Sequence, residues 1–137
     1  MREAGVMLII KDGLILGISR RNDKTKFGLP GGKLEAGEMP WQAAIRETKE
    51  ETGVTVAMCT QIFRREEPPA TPDGEPFYTY CYYALAWSGE PKDSEEGVVK
   101  WLTAEELTST AGAFPEYNRK TLDAFKQKYP NIGLKGE

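Results

Sequence analysis

The spacing of apolar residues changes along the chain, and the changes divide it into elements. Val6-Met7-Leu8-Ile9-Ile10 is an unbroken apolar run, which predicts a strand buried on both faces. Lys11-Asp12-Gly13 predicts a turn, and residues 14–18 predict its antiparallel partner. The stretch 22–31 is polar and leads into Gly28-Leu29-Pro30-Gly31-Gly32, so it reads as a loop. From Pro40 to Thr52 no breaker interrupts the chain; Pro40 suits a first helical turn and Gly53 suits the stop. Residues 54–64 and 76–87 alternate as strands do, the second carrying Phe77, Tyr78, Tyr80, Tyr82 and Tyr83. Between them, residues 66–74 are rich in proline and predict an exposed loop. A short strand follows at 97–102. Thr103-Ala104-Glu105-Glu106 has the pattern of a helix capping box, and a last helix is expected at about 117–128. Strands first, one helix embedded and more helix after them predict an α/β, more strictly α+β, fold with a mixed sheet and helices packed against it.

Composition narrows the chemistry. A chain of 137 residues fits one domain spanning 1–137. It contains no histidine, which excludes Ser-His-Asp and Cys-His nucleophiles and most zinc sites. A net charge of −3 without a basic stripe argues against a stable nucleic-acid partner. A nucleotide substrate stays open, because a divalent cation reverses the local sign of a site. Cys59 and Cys81 lack a C-x-x-C spacing; a disulfide is open, and two reduced thiols are the preferred reading. The N-terminal stretch is too short and polar for a signal peptide or membrane span, so a cytoplasmic location and no membrane partner are expected.

The helix at 40–52 carries the chemistry. Glu47, Glu50 and Glu51 stand at i, i+3 and i+4, so they project from one face. Alone, such a run reads as a solvated face laced by pairs such as Arg46 with Glu50. Three carboxylates on one face also repel one another, and a hard divalent cation with oxygen ligands relieves that repulsion.

A longer pattern decides between these readings. From Gly32 the chain runs through five residues to Glu38, seven to Arg46-Glu47, two to Glu50-Glu51 and one to Gly53-Val54. This resembles the box of the Nudix hydrolase family, G-x5-E-x7-R-E-U-x-E-E-x-G-U, where U is bulky and apolar. Thr48 departs from it, standing where the family prefers Ile, Leu or Val; its β-branched shape predicts a somewhat weaker core contact. The resemblance implies a Nudix fold, its mixed sheet sandwiched between helices, and Mg²⁺-dependent hydrolysis of a nucleoside diphosphate linked to another group, with Mn²⁺ as a substitute. It implies Glu47, Glu50, Glu51 and the carbonyl of Gly32 as metal ligands. It makes Glu38 and Arg46 an ion pair, with Arg46 orienting Glu47.

Outside the box, the stretch 89–101 resembles that of MutT-type members, which place a metal-interacting Glu there; Glu95 and Glu96 are both candidates. Arg21 is a candidate phosphate contact or an ordinary surface arginine. Phe27 takes a position that is often aromatic in the family, with core packing as its alternative role. Asn118, in Phe114-Pro115-Glu116-Tyr117-Asn118, resembles a base-reading Asn, and an N-cap or helix-start Asn is the alternative. These resemblances favour a nucleoside or deoxynucleoside triphosphate, cleaved to monophosphate and pyrophosphate. Pro69, fifteen residues beyond the box, favours the alternative of an ADP-ribose or nucleotide-sugar pyrophosphatase. A non-catalytic nucleotide-binding Nudix-like domain is the third reading, weakened because Glu38, Glu47, Glu50 and Glu51 are all retained. The family also leaves a homodimer open.

Overall fold

The apolar N-terminal run forms β1 (Arg2–Leu8) in the computed structural model, which describes residues 2–69, 71–109 and 112–137. Six more strands follow the β2 (Ile10–Lys11) extension of that run: β3 (Leu14–Arg20), β4 (Asp23–Gly28), β5 (Gly31–Lys33), β6 (Thr55–Glu67), β7 (Phe77–Ser88) and β8 (Val99–Leu102). Helix α1 (Pro40–Thr52) lies between β5 and β6, and α2 (Ala104–Thr108) and α3 (Pro115–Lys128) close the order.

One four-stranded sheet runs β5-β1-β7-β6 and is mixed, since β1 and β7 are parallel while β5–β1 and β7–β6 are antiparallel. In the second sheet β3 pairs with β2 and β4, and with β8. Ile15 faces both Ile10 and Leu102, so β8 occupies the edge of β3 opposite β2. A bond from Leu16 N–H to Ile9 O (2.9 Å) ties the second sheet to the end of β1.

The period of two along β1 sorts its side chains onto two cores. Met7 and Ile9 point to a cluster with Ala44, Val54, Val56, Tyr82 and Ala84, covered by α1. Leu8 points the other way, to Cys81, Leu107, Leu122 and Phe125, covered by α2 and α3. Both faces of the sheet are therefore buried, which is why residues 6–10 are apolar without alternation.

The Asp12-Gly13 turn has φ of 53° and 78°, the left-handed pair that a two-residue hairpin needs. Helix α1 starts where Met39 N–H donates to Gln42 Oε1 (2.8 Å) and stops at Gly53, with φ of 81°. It lies so close to β1 that a Cβ on Gly5 would sit 2.1 Å from Pro40 O. Thr48 is fully buried, and its Oγ1 has no hydrogen-bond partner among the described residues.

Three expectations are corrected. Residues 22–31, read as a loop, contain β4 and the start of β5: Asp23–Gly28 pairs with β3, and Gly31–Lys33 pairs with β1. Their polar side chains carry no strand period, and the pairing comes from the free edges of β1 and β3. Strand β6 extends to Glu67, so the predicted 66–74 loop is shorter; Ala70 within it lies outside the described residues. Helix α3 begins at Pro115 rather than at residue 117, with Pro115 in its first turn.

Candidate metal-dependent active site

The 31–33 strand and the middle of α1 are packed face to face. A Cβ on Gly32 would lie 2.7 Å from Glu47 Cδ, so any larger residue here would displace the Glu47 carboxyl from its place against the strand. Gly31 N–H donates to Glu51 Oε1 at 2.8 Å. From the turn before β8, Glu96 reaches the same place. Glu47, Glu51 and Glu96 each bring one carboxylate oxygen to within 4.8 Å of the others, a set of hard oxygen donors able to hold a divalent cation.

Two electrostatic regimes adjoin in this region. Arg46 grips Glu38 with two bonds, Nε to Oε2 at 2.8 Å and Nη2 to Oε1 at 3.0 Å. Its Nη1 donates to Glu47 Oε1 at 2.8 Å, and its Nη2 to the carbonyl of Lys33 at 3.1 Å. One guanidinium thus joins the loop, β5 and the helix. That hydrogen bonding, with a further one from Glu35 N–H, holds the Glu38 carboxyl below the usual range and raises Arg46. In the cluster the direction reverses. Burial, against the pull of the Gly31 N–H and with added repulsion from Glu47, Glu96 and Glu50, pushes Glu51 up to about 8. Burial also raises Glu47, against the pull of Arg46.

The remaining candidates are distributed unevenly. The Glu50 side chain is 50% exposed and turns toward Arg46 Nη1 at 3.3 Å, outside the three-carboxylate group. Of the two loop candidates, Glu96 joins the cluster and Glu95 is exposed away from it. Arg21 Nη2 donates to Glu96 Oε1 at 2.8 Å from a side chain 74% exposed, so it borders the site with its other nitrogens open to solvent. Phe27 is half-buried against the core of Leu8, Leu102 and Phe125. Of the readings open for Asn118, the structure places it at the helix start, although Phe114 and not Asn118 is the N-cap. It is 1% exposed in the first turns of α3, and its Nδ2 donates to Leu107 O at 3.1 Å, tying α3 to α2. Cys59 and Cys81 are both free thiols.

Sequence reading missed Ser94. Its hydroxyl donates to Glu51 O at 2.9 Å and accepts from Glu96 N–H at 3.1 Å. The available signal was a Ser three residues before Gly97, the pattern of a tight turn.

The family model of the NUDIX domain matches residues 1–125. The chain belongs to the Nudix hydrolase family. An 8-oxo-dGTP diphosphatase of Haemophilus influenzae is 36% identical over 98 residues, covering 68% of this chain and 65% of that protein, just under two thirds of its length. The 8-oxo-dGTP diphosphatase of Escherichia coli K12 is 32% identical, covering 74% of this chain and 75% of that protein. Among solved structures, a MutT NUDIX hydrolase from Burkholderia pseudomallei superposes with a TM-score of 0.72 at 27% identity, covering 88% of this chain and 97% of that one. The ORF135 protein of Escherichia coli, at 21% identity and a TM-score of 0.78 over 96% of this chain and 95% of that one, shares the fold. This Nudix domain therefore stands among hydrolases acting on pyrophosphate bonds. Among its described residues, no helix is long and apolar enough to cross a membrane.

Proposed function

We propose that this Nudix domain is a Mg²⁺-dependent pyrophosphohydrolase that converts a nucleoside or deoxynucleoside triphosphate to its monophosphate and pyrophosphate. The observation that carries the reading is the Glu47–Glu51–Glu96 group, three carboxylates with ligand oxygens within 4.8 Å of one another, where burial first and mutual repulsion second raise Glu51 to about 8. Arg46 reaches Glu47 and Arg21 reaches Glu96, but Glu51 takes no guanidinium among the described residues, and three carboxylates kept this close fit a hard divalent cation. The named diphosphatase relatives support the triphosphate class over nucleotide sugars.

Glu47, Glu51 and Glu96 would hold the cation, with Glu50 and the carbonyl of Gly32 as its further candidate ligands. When bound, Mg²⁺ neutralises charge developing on the phosphate oxygens and lowers the pKa of water. The chain supplies the rest. Arg46 keeps one Glu47 oxygen turned inward through its 2.8 Å bond, and Gly31 N–H does the same for Glu51. Glu38 fixes Arg46 in turn. Arg21, at the rim, offers a planar fork to the phosphate chain once its hold on Glu96 is exchanged for a substrate oxygen. Binding and orientation of the phosphates beside an ordered carboxylate set are the larger part of what hydrolysis of a phosphoanhydride needs. With two free thiols and a nucleotide substrate, we assign the enzyme to the cytoplasm.

The test is a Mg²⁺-dependent screen over nucleoside triphosphates, ADP-ribose, nucleotide sugars and dinucleoside polyphosphates, with products identified by mass. Pyrophosphate and a monophosphate from triphosphates support the proposal. Cleavage of ADP-ribose with none of triphosphates, or no hydrolysis of any of them, refutes it.

A further inference from the structure

We propose that Ser94 is a positioning residue for the cation site, its hydroxyl seating Glu96 against the last turn of α1; the assignment rests on the metal-dependent reading above. The last carbonyls of a helix have no intrahelical partner. Here the segment before β8 supplies partners: Lys92 N–H donates to Thr52 O at 2.8 Å and Ser94 Oγ to Glu51 O at 2.9 Å. The same Oγ accepts from Glu96 N–H at 3.1 Å. Ser94 and Gly97 close the turn with reciprocal backbone bonds, N–H of Ser94 to O of Gly97 at 3.0 Å and the return bond at 3.3 Å. One hydroxyl therefore joins the backbones of Glu51 and Glu96, residues whose carboxylates meet in the cluster.

The tie has a definite task. Glu47, Glu51 and Glu96 carry like charge when ionised, and Glu96 alone of the three comes from the turn before β8 rather than from α1. Repulsion would move that turn outward unless something holds it to α1. The segment has other anchors: the Lys92–Thr52 bond holds its start to the end of α1, and two contacts hold its end to β3, but only the Ser94 hydroxyl joins Glu96 N–H directly to Glu51 O. Val98 N–H donates to Ser19 Oγ at 2.9 Å, and a Cβ on Gly97 would lie 2.7 Å from Ser19 O. Removing the Ser94 hydroxyl should leave these in place. What changes is the spacing of Glu96 from Glu51, and with it the affinity for a cation. Loss of such an outer contact behind a ligand typically lowers metal affinity by about 10-fold or more.

The experiment is a Mn²⁺ titration of the full chain without nucleotide, read by the electron paramagnetic resonance of free Mn²⁺. It compares wild type, Ser94→Ala, Ser94→Thr, Glu96→Gln and the Ser94→Ala/Glu96→Gln double variant, with melting temperatures in chelator alongside. Ser94→Ala is expected to weaken Mn²⁺ binding about 10-fold at a near-wild-type melting temperature. Ser94→Thr, which keeps the hydroxyl, restores it. The double variant binds no more weakly than Glu96→Gln alone, because Ser94 acts through Glu96. Wild-type affinity in Ser94→Ala, no recovery in Ser94→Thr, or a further loss in the double variant each overturns the assignment. A wild type that binds no Mn²⁺ overturns the metal reading beneath it, and so the two failures are distinct.

Discussion

Glu38 and Glu51 lie within one small region and are pushed in opposite directions. Glu38 takes two hydrogen bonds from Arg46 and one from Glu35 N–H, and its carboxyl is held low. Glu51 has a single backbone N–H, is more deeply buried and faces Glu47 and Glu96, and its carboxyl is held at about 8. The Glu38–Arg46 side is electrostatically complete as the chain folds. The Glu51 side is not: Arg46 reaches Glu47 and Arg21 reaches Glu96, but among the described residues no cation pairs with Glu51 itself. A completed ion pair points to a structural role; an uncompensated, buried carboxylate group points to a binding one.

Breaking the incomplete side should cost most. Glu51→Gln is expected to lower turnover on the order of 10²–10³-fold while the fold persists, since it removes a carboxylate from the proposed cation site. Steady-state kinetics with circular dichroism on the same sample checks both halves, and wild-type turnover in this variant would mean that Glu51 does not hold the cation.

Breaking the complete side should act on the fold as well as the chemistry. Arg46→Ala leaves Glu38 and Glu47 without their partner, and we expect a melting temperature lower by roughly 5–10 °C together with reduced turnover. Arg46→Lys should recover only part of either, because an ammonium cannot reproduce the two-pronged contact to Glu38. Differential scanning fluorimetry of the pair measures it.

The comparison is sharpened by pH. Glu51 is raised in the fold, from an ordinary 4.5 to about 8, so between those values the folded state binds the extra proton. Stability in chelator should therefore fall as pH rises through that window. Glu38 is lowered in the fold, so its stabilising contribution is present above the ordinary 4.5 and is lost as pH falls through its folded value. Saturating Mg²⁺ should raise the melting temperature more at pH 8 than at pH 5.5, because only ionised carboxylates bind it. Equal shifts at the two pH values would contradict the Glu51 half of the comparison.

The smallest effect concerns the buried face of the same helix. Thr48→Val removes the fully buried Oγ1 that lacks a partner among the described residues, and stability should rise by about 1 kcal/mol at unchanged turnover. Chemical denaturation measures that gain, and a loss of stability would show that the hydroxyl is satisfied in solution.

How much of this was readable from residue order varies with the type of interaction. The α1 helix was legible because Pro40, Gly53 and the carboxylate spacing all lie within one local element. Strand β4 was not legible. Its Asp23-Lys24-Thr25-Lys26 stretch has no apolar period, and it is a strand because the edge of β3 offers backbone partners. Asn118 was legible only as two alternatives for a related reason. The Phe114–Asn118 stretch resembles a loop, but α3 starts at Pro115 and commits the Asn118 amide to the Leu107 carbonyl.

The sequence by itself determined the family, the helix and the identity of the carboxylates on it, because a helix turns a linear spacing into a face with no help from distant residues. Only the tertiary structure decided which of those carboxylates belong together. Residues 95 and 96 are equivalent as letters, and the turn closed by Ser94 and Gly97 sends one to the cluster and the other to solvent. Glu50 and Glu51 are likewise neighbours on one helix. One turns to Arg46 at the surface, and the other is buried against Gly31 and Glu96, because only that flank of α1 is covered by β5 and the 94–97 turn. The three-carboxylate group at the centre spans parts of the chain 45 residues apart and exists only once the loop docks on the helix end.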